Sequence, residues 1–297
     1  MTILVTGATG QVGRHVVTQL AAAGEHVRAM TRDPARAVVP AGVEVVRGDL
    51  LEPPSVAAAL RGVSALYLFP EPRTAAAVVD AAVRAGVRRI VTLSSGAVSA
   101  GLDTDFQLPV EKAVEASGCE WTHLRPGEFA SNSLKLFGPP IRASRVVRYC
   151  NPDWRGLPIH EADIAAVGVA ALLTDGHHGR AYDLTGPARI SARDQVRCIG
   201  EALGTPVRFE EVSPAEAREI LRRQGGWAAE NADFLTGFES YSPTSPTSPD
   251  SATSPVSPAS VEEWDEMLRP LPTVEQVTGR PARSYAEWVR DNVEAFR

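Results

Sequence analysis

Residues 5–13 read VTGATGQVG and place Gly7, Gly10 and Gly13 three apart, directly after a short apolar run. Beyond them Val12, Val16, Val17, Leu20 and Ala21 recur with a helical period, and Gly24 stands where a helix C-terminus would close. A glycine triplet alone is weak evidence. Between a strand and a helix, within a βαβ unit of about 30 residues, it is specific. In that setting Gly7 permits a tight turn, Gly10 lets the backbone approach a pyrophosphate, and Gly13 lets the helix lie close on the strand. The helix N-terminus then offers N–H donors and a positive dipole to an anion. Thr9, Gln11 and Val12 are expected to line the same turn.

The pattern continues outward. Strand-length runs TILVTG, HVRAMTR, VEVVRGD, ALYLFP, RRIVTLSS and WTHLRPG alternate with helix-length segments such as TAAAVVDAAVRAG. Strict alternation implies parallel strands joined by right-handed crossovers, with helices on both faces. The predicted fold class is therefore α/β, a doubly wound parallel sheet of Rossmann type over residues 1–155. Residues 156–297 are expected to form a smaller C-terminal substrate lobe, with some strands returning to the main sheet. Helices are predicted near 161–174, 191–203, 214–224 and 283–295, and short strands near 146–149, 181–184 and 206–210. Within the lobe, residues 241–260 carry serine at every third position from Ser242 to Ser260 with five prolines between, the composition of an extended, solvated loop.

Composition excludes several classes. The formal charge is −6 with acids and arginines interspersed, so no basic stripe suits a nucleic-acid backbone. No apolar run nears the roughly 20 residues that span a bilayer, and the N-terminus lacks the n- and h-regions of a signal peptide. Cys119, Cys150 and Cys198 are scattered without CxxC or zinc spacing, which reads as reduced thiols in the cytoplasm. No metal site is expected: His160, Glu161 and Asp163 lack a third ligand at a known spacing and read as a helix-entry network. Lys112 and Lys135 are the only lysines in an arginine-rich chain, which draws attention to Lys112.

The ends of the strands carry the remaining candidates. At the end of the second strand a site for NAD(H) would present a carboxylate to the ribose 2′-hydroxyl. This chain has Thr31 and Arg32, and a guanidinium suits a 2′-phosphate, so NADP(H) is favoured over NAD(H). Asp33 is read as a cap of DPARAV or, alternatively, as a ribose ligand. Asp49 and Leu50 follow the third strand and are expected near the adenine, with capping of the next helix as the alternative for Asp49. Phe69 and Pro70 close the fourth strand, Ser94 follows the fifth, and Pro126, Gly127 and Phe129 close the sixth, all toward the nicotinamide. Tyr67, inside its strand, reads as core, with its hydroxyl as an alternative source of the acid.

TGATGQVG, the TRDP after the second strand, the GDL after the third, EKAVEASG before WTHLRPGEF, IHEADIAAVGVAALL and TGRPARSYAEWV resemble the NmrA-like branch of the atypical short-chain dehydrogenases. The resemblance spans nearly the whole chain except roughly 226–268. It implies a Rossmann-type NAD(P) domain with a small C-terminal lobe. Its members are reductases of quinones, enones and related compounds, or non-catalytic sensors of the cofactor's redox state. Typical short-chain dehydrogenases use a serine, a tyrosine thirteen residues later and a lysine four further on. Here those positions hold Ser95, Leu108 and Lys112. The resemblance thus implies that Ser95 and Lys112 take part in catalysis, with Lys112 also binding the nicotinamide ribose, while the usual acid is missing. Leu108 has no proton to give, so simple ketone reduction is not expected. A quinone-like, enone or aromatic carbonyl acceptor yields an anion whose conjugate acid has a pKa of about 10, which needs stabilisation more than protonation. The expectation is an NADPH-dependent reductase of such a small molecule. The alternative is a redox sensor whose partner is a protein.

Overall fold

The computed structural model describes residues 1–238 and 269–297. The serine- and proline-rich stretch 241–260 lies outside them. The chain builds a seven-stranded sheet in the order β3-β2-β1-β4-β5-β6-β9, with every neighbouring pair parallel. Six strands occur where the sequence predicts, β1 (Thr2–Val5), β2 (His26–Thr31), β3 (Glu44–Arg47), β4 (Ala65–Leu68), β5 (Arg89–Leu93) and β6 (Glu120–Pro126), and α-helices separate them except between β2 and β3, where only a 3-10 turn stands. The seventh, β9 (Arg180–Leu184), comes from beyond residue 155 and pairs with β6.

Strand alternation divides the apolar residues between two cores. Ile3 and Val5 face α1 (Gly13–Ala22) and α8 (Glu161–Leu173), where Val16, Leu20, Ile164 and Leu172 join Tyr67, Val91 and Leu124. Leu4 points to the opposite face, covered by α2 (Pro53–Ala59), α3 (Ala75–Arg84) and α5 (Gln107–Glu115), with Leu66, Val79, Ile90 and Val114. The central strands are buried on both faces, hence the unbroken apolar ALYL of β4. Gly24 follows α1 at φ +80°, the left-handed turn expected of it.

The lobe has its own core, in which Phe137, Ile141, Val147, Val196, Ile199, Trp288 and Phe296 meet. Strand β7 (Val146–Tyr149) pairs in parallel with β11 (Arg208–Glu211), and the two-residue β8 (Arg155–Gly156) pairs antiparallel with β10 (Ile190–Ser191). Helix 214–224 has the predicted bounds. The helix expected over 283–295 is shorter: Tyr285–Asn292 is α-helical and Val293–Phe296 is a 3-10 turn. Its start is fixed by a capping box, in which Ser284 accepts from the Glu287 N–H while the Glu287 carboxylate accepts from the Ser284 N–H. A histidine and two acids at the start of α8 tie the lobe to the sheet layer. His160 Nδ1 accepts from the Ala162 N–H (3.1 Å), Glu161 accepts from the Ser131 N–H (2.8 Å) and the Trp288 indole (2.9 Å), and Asp163 pairs with Arg283. This is the helix-entry network the sequence suggests.

Candidate dinucleotide and substrate site

The strand order reverses at β1, whose neighbours β2 and β4 are reached by crossovers on opposite sides, and ligands of open α/β sheets bind outside the carboxyl ends at such a point. The glycine turn occupies that place. Gly7 adopts φ +60°, with Phe69 packed against it at a spacing where an added β-carbon would lie 3.1 Å from Phe69 Cβ. A β-carbon on Gly13 would sit 2.1 Å from the Gly7 carbonyl oxygen, so the helix approaches the turn as closely as only glycine allows. Thr9 and Gly10 are exposed, and Gln11 is half-buried. Among the described residues the amides of Gln11 and Val12 meet no hydrogen-bond acceptor, and no side chain caps α1. Free donors beside a surface without side chains fit a pyrophosphate.

Arg32 is exposed at the carboxyl end of β2 and has no ion pair among the described residues. Its guanidinium is available to a 2′-phosphate. Asp33 does not act as the side-chain cap the sequence suggests: the turn it precedes, Pro34–Arg36, is a 3-10 turn, and the carboxylate accepts no capping bond. A three-residue turn presents too few free amides to draw the carboxylate in. Asp49 does not cap α2 either. Glu52 holds that position, whereas Asp49 accepts from the Leu51 N–H (3.0 Å), tightening the loop behind β3. Leu50 is fixed by Thr74, whose hydroxyl donates to its carbonyl (2.6 Å).

On the other side of β1, Phe69 is 44% exposed, so its ring is wall rather than core. The Phe69 N–H donates to Thr6 Oγ1 (2.7 Å), which locks the end of β4 to the glycine turn. Pro126 ends β6 beside Gly96, and Phe129 bridges to Ile159. Tyr67 is core, as expected: it is buried, and burial pushes its phenol above the ordinary range.

The two serines diverge. Ser95 accepts from the Ala97 N–H (3.1 Å) at the start of α4 (Gly96–Ser99), leaving its O–H to donate. Ser94 turns inward and donates to Glu111, which is buried and held by both arms of Arg125 (2.6 and 2.9 Å). Burial alone would raise the Glu111 carboxyl. The bonds from Arg125 and Ser94 outweigh it and hold the group below the ordinary range. Lys112, one residue on, is exposed, and Leu108 is half-buried in the first turn of α5. The structure therefore gathers the glycine turn and Phe69 at one place and Ser94 and Pro126 at another, while Lys112 stands on the neighbouring helix and, among the described residues, makes no hydrogen bond to Ser95. Sequence reading missed the Ser94–Glu111–Arg125 network; Glu111, adjacent to Lys112 in EKAVEASG, looks in sequence like a surface acid.

An open parallel sheet with a glycine-lined anion cradle at its switch point defines a dinucleotide-binding Rossmann protein. A family model described as NAD(P)H-binding matches residues 7–175. The chain is 39% identical over 302 residues to (4-alkanoyl-5-oxo-2,5-dihydrofuran-3-yl)methyl phosphate reductase of Streptomyces griseus, with 99% of both proteins covered. It is 32% identical over 306 residues to NAD(P)H azoreductase of Xenophilus azovorans, again with 99% of both covered. Among solved structures, the triphenylmethane reductase of Citrobacter sp. complexed with NADP(H) shares the fold at a TM-score of 0.73 and 21% identity, covering 98% of this chain and 99% of that one. The negative transcriptional regulator NmrA does so at 0.69 and 18%, covering 99% and 95%. The chain belongs to the NAD(P)H-binding family. Its cofactor class is the one the glycine turn predicts.

Proposed function

We propose that the protein is an NADPH-dependent reductase that delivers hydride to small conjugated acceptors. The observation that carries this reading is similarity along nearly the whole chain to two relatives named as reductases; Leu108, an apolar residue where the ketone-reducing members of the superfamily place their acid, narrows the acceptor class. When bound, the dinucleotide supplies the hydride. The chain holds its pyrophosphate on the amides after Gly10 and its 2′-phosphate on Arg32. Phe69 and Pro126 wall the reacting face, and Ser95 O–H and Lys112 supply a donor and a positive charge for the developing anion. The Streptomyces griseus relative is named for an unsaturated lactone phosphate whose ring double bond is conjugated to two carbonyls, and hydride addition there leaves a well-stabilised enolate. The azoreductase and quinone oxidoreductase relatives likewise carry the names of electron-poor acceptors.

The experiment is a panel: purified protein with NADPH and quinones, enones, unsaturated lactones or simple ketones. Conjugated acceptors are expected to oxidise NADPH and simple ketones are not; a ketone reduced as fast as an enone would refute the reading. Arg32→Ala is expected to weaken NADPH by about 1.5–3 kcal/mol, the worth of charged hydrogen bonds, and NADH far less. Equal losses, measured by titration calorimetry, would remove Arg32 from the phosphate. Leu108 also favours a second reading, a redox sensor that binds NADP(H) and signals to a protein partner. We place the protein in the cytoplasm, in keeping with three cysteines that are free thiols; its partner is a small molecule rather than a nucleic acid.

A further inference from the structure

The turn that closes β6 contains an acid with no role so far. Glu128 lies two residues past Pro126, at the carboxyl edge of the sheet. It is three strands from β1, about 14 Å at about 4.8 Å per strand, on the side away from Arg32 and hence the nicotinamide side. Its backbone is fixed on both sides: the Gly127 N–H donates to the Leu184 carbonyl (2.9 Å), and the Glu128 carbonyl accepts from the Ile159 N–H (2.8 Å). The side chain reaches across to the lobe and rests on Gly156 of β8, where a β-carbon would come within 2.1 Å of Oε2 and 3.2 Å of the carboxyl carbon. A side chain at 156 would push the carboxyl out of this position.

Among the described residues nothing donates to or pairs with this carboxyl. Glu128 is exposed to solvent, yet protein surrounds it closely enough that desolvation pushes the carboxyl up to about 7. The titratable groups facing it are Tyr149 of β7 and Tyr285 of the C-terminal helix, both pushed up by burial and therefore uncharged. Arg155, beside Gly156, faces Asp194 instead.

We propose that Glu128 is the proton donor of the reductase site, a catalytic residue that replaces the missing tyrosine from a different element. The proposal rests on the reductase reading. Hydride from NADPH forms a C–H bond at the β-carbon of the conjugated acceptor, and the π pair moves to give an enolate. The Glu128 O–H bond then breaks and a C–H bond forms at the α-carbon, restoring the carbonyl. The acceptor is reduced by two electrons, NADPH leaves as NADP⁺, and water returns a proton to the carboxylate. A carboxyl poised near neutrality is matched to this task. Gly156 is its positioning residue.

The test begins without substrate. In protein carrying carbon-13 at glutamate carboxyls, the resonance that disappears in Glu128→Gln is expected to titrate with a midpoint near 7, and in Gly156→Ala that midpoint moves. The folded chain then holds a proton that the unfolded chain releases between about pH 4.3 and 7, so stability falls as pH rises through that window, and Glu128→Gln flattens the fall. With an unsaturated lactone, wild-type kcat is expected to decline above about pH 7, and Glu128→Gln to lower kcat about a hundredfold or more while KM and NADPH affinity stay within a few-fold. An ordinary glutamate midpoint, or a variant with wild-type kcat and pH profile, overturns the proposal alone. Absence of wild-type turnover with every acceptor overturns it together with the reductase reading.

Discussion

In Gly13→Ala, cofactor affinity and fold stability are expected to fall together. The added β-carbon would lie 2.1 Å from the Gly7 oxygen, 2.8 Å from the Gly7 carbonyl carbon and 3.1 Å from the Ala8 α-carbon, and all three are backbone. No side chain can rotate out of the way, so α1 must lift from β1 or the turn must open. Overpacking of this kind costs about 1–3 kcal/mol. Opening the turn also displaces the amides of Gln11 and Val12, so NADPH and NADH should both weaken at least about tenfold, the equivalent of about 1.4 kcal/mol. Gly10→Val separates the two effects. Gly10 is exposed and its β-carbon meets only the Gly7 oxygen at 3.1 Å, so the melting temperature should change little while cofactor binding is abolished, because the side chain fills pyrophosphate space. If Gly13→Ala melts and binds like the wild type, the helix does not need its close approach.

Trp288→Ala is expected to destabilise the protein by about 3–5 kcal/mol. Trp288 is completely buried, stacks on Tyr285 at 5.5 Å between centroids, meets Phe296 edge-on at 6.2 Å, and donates its indole N–H to Glu161. The substitution empties the centre of the lobe core and leaves a buried carboxylate oxygen without that donor. Trp288→Phe keeps most of the volume and loses the N–H, and a cost of about 1–3 kcal/mol in denaturant titrations would measure the unsatisfied oxygen. A phenylalanine variant as stable as the wild type would show that Glu161 is satisfied by Ser131 alone. Because this core holds β7 and the helix that face Glu128, the alanine variant should also lose turnover faster on warming.

The sheet was legible because its signal is repeated. Each central strand carries an apolar run too short for a helix, and each crossover carries a helical period, so six strands and their order class follow from pattern alone. The glycine turn was legible for a steric reason, since the close contact at Gly13 admits no other residue. What escaped depends on contacts distant in sequence. Glu111 and Arg125 are unremarkable charges until α5 is laid on β6, and Glu128 gains meaning only when Gly156, from the lobe, stands against it. The ribbon of β8 and β10 has two residues per strand, too few to show an alternation. Asp33, directly before Pro34, resembles a helix cap, whereas the backbone there makes a 3-10 turn; at Asp49 the capping alternative gives way to a loop bond from the Leu51 N–H. Leu108, by contrast, was informative as an absence: it removed the usual acid and so prompted the search for another, for which we propose Glu128.

The central claim is that a conjugated acceptor takes hydride in a site without the superfamily's tyrosine. Its most direct measurement is the stoichiometry of NADPH oxidation when purified protein meets an unsaturated lactone carrying a second carbonyl on its double bond. One NADP⁺ formed per saturated product, with no oxidation when a simple ketone replaces the lactone, is the predicted result. Tight NADPH binding with no oxidation by any acceptor would contradict it and leave a cofactor sensor in its place.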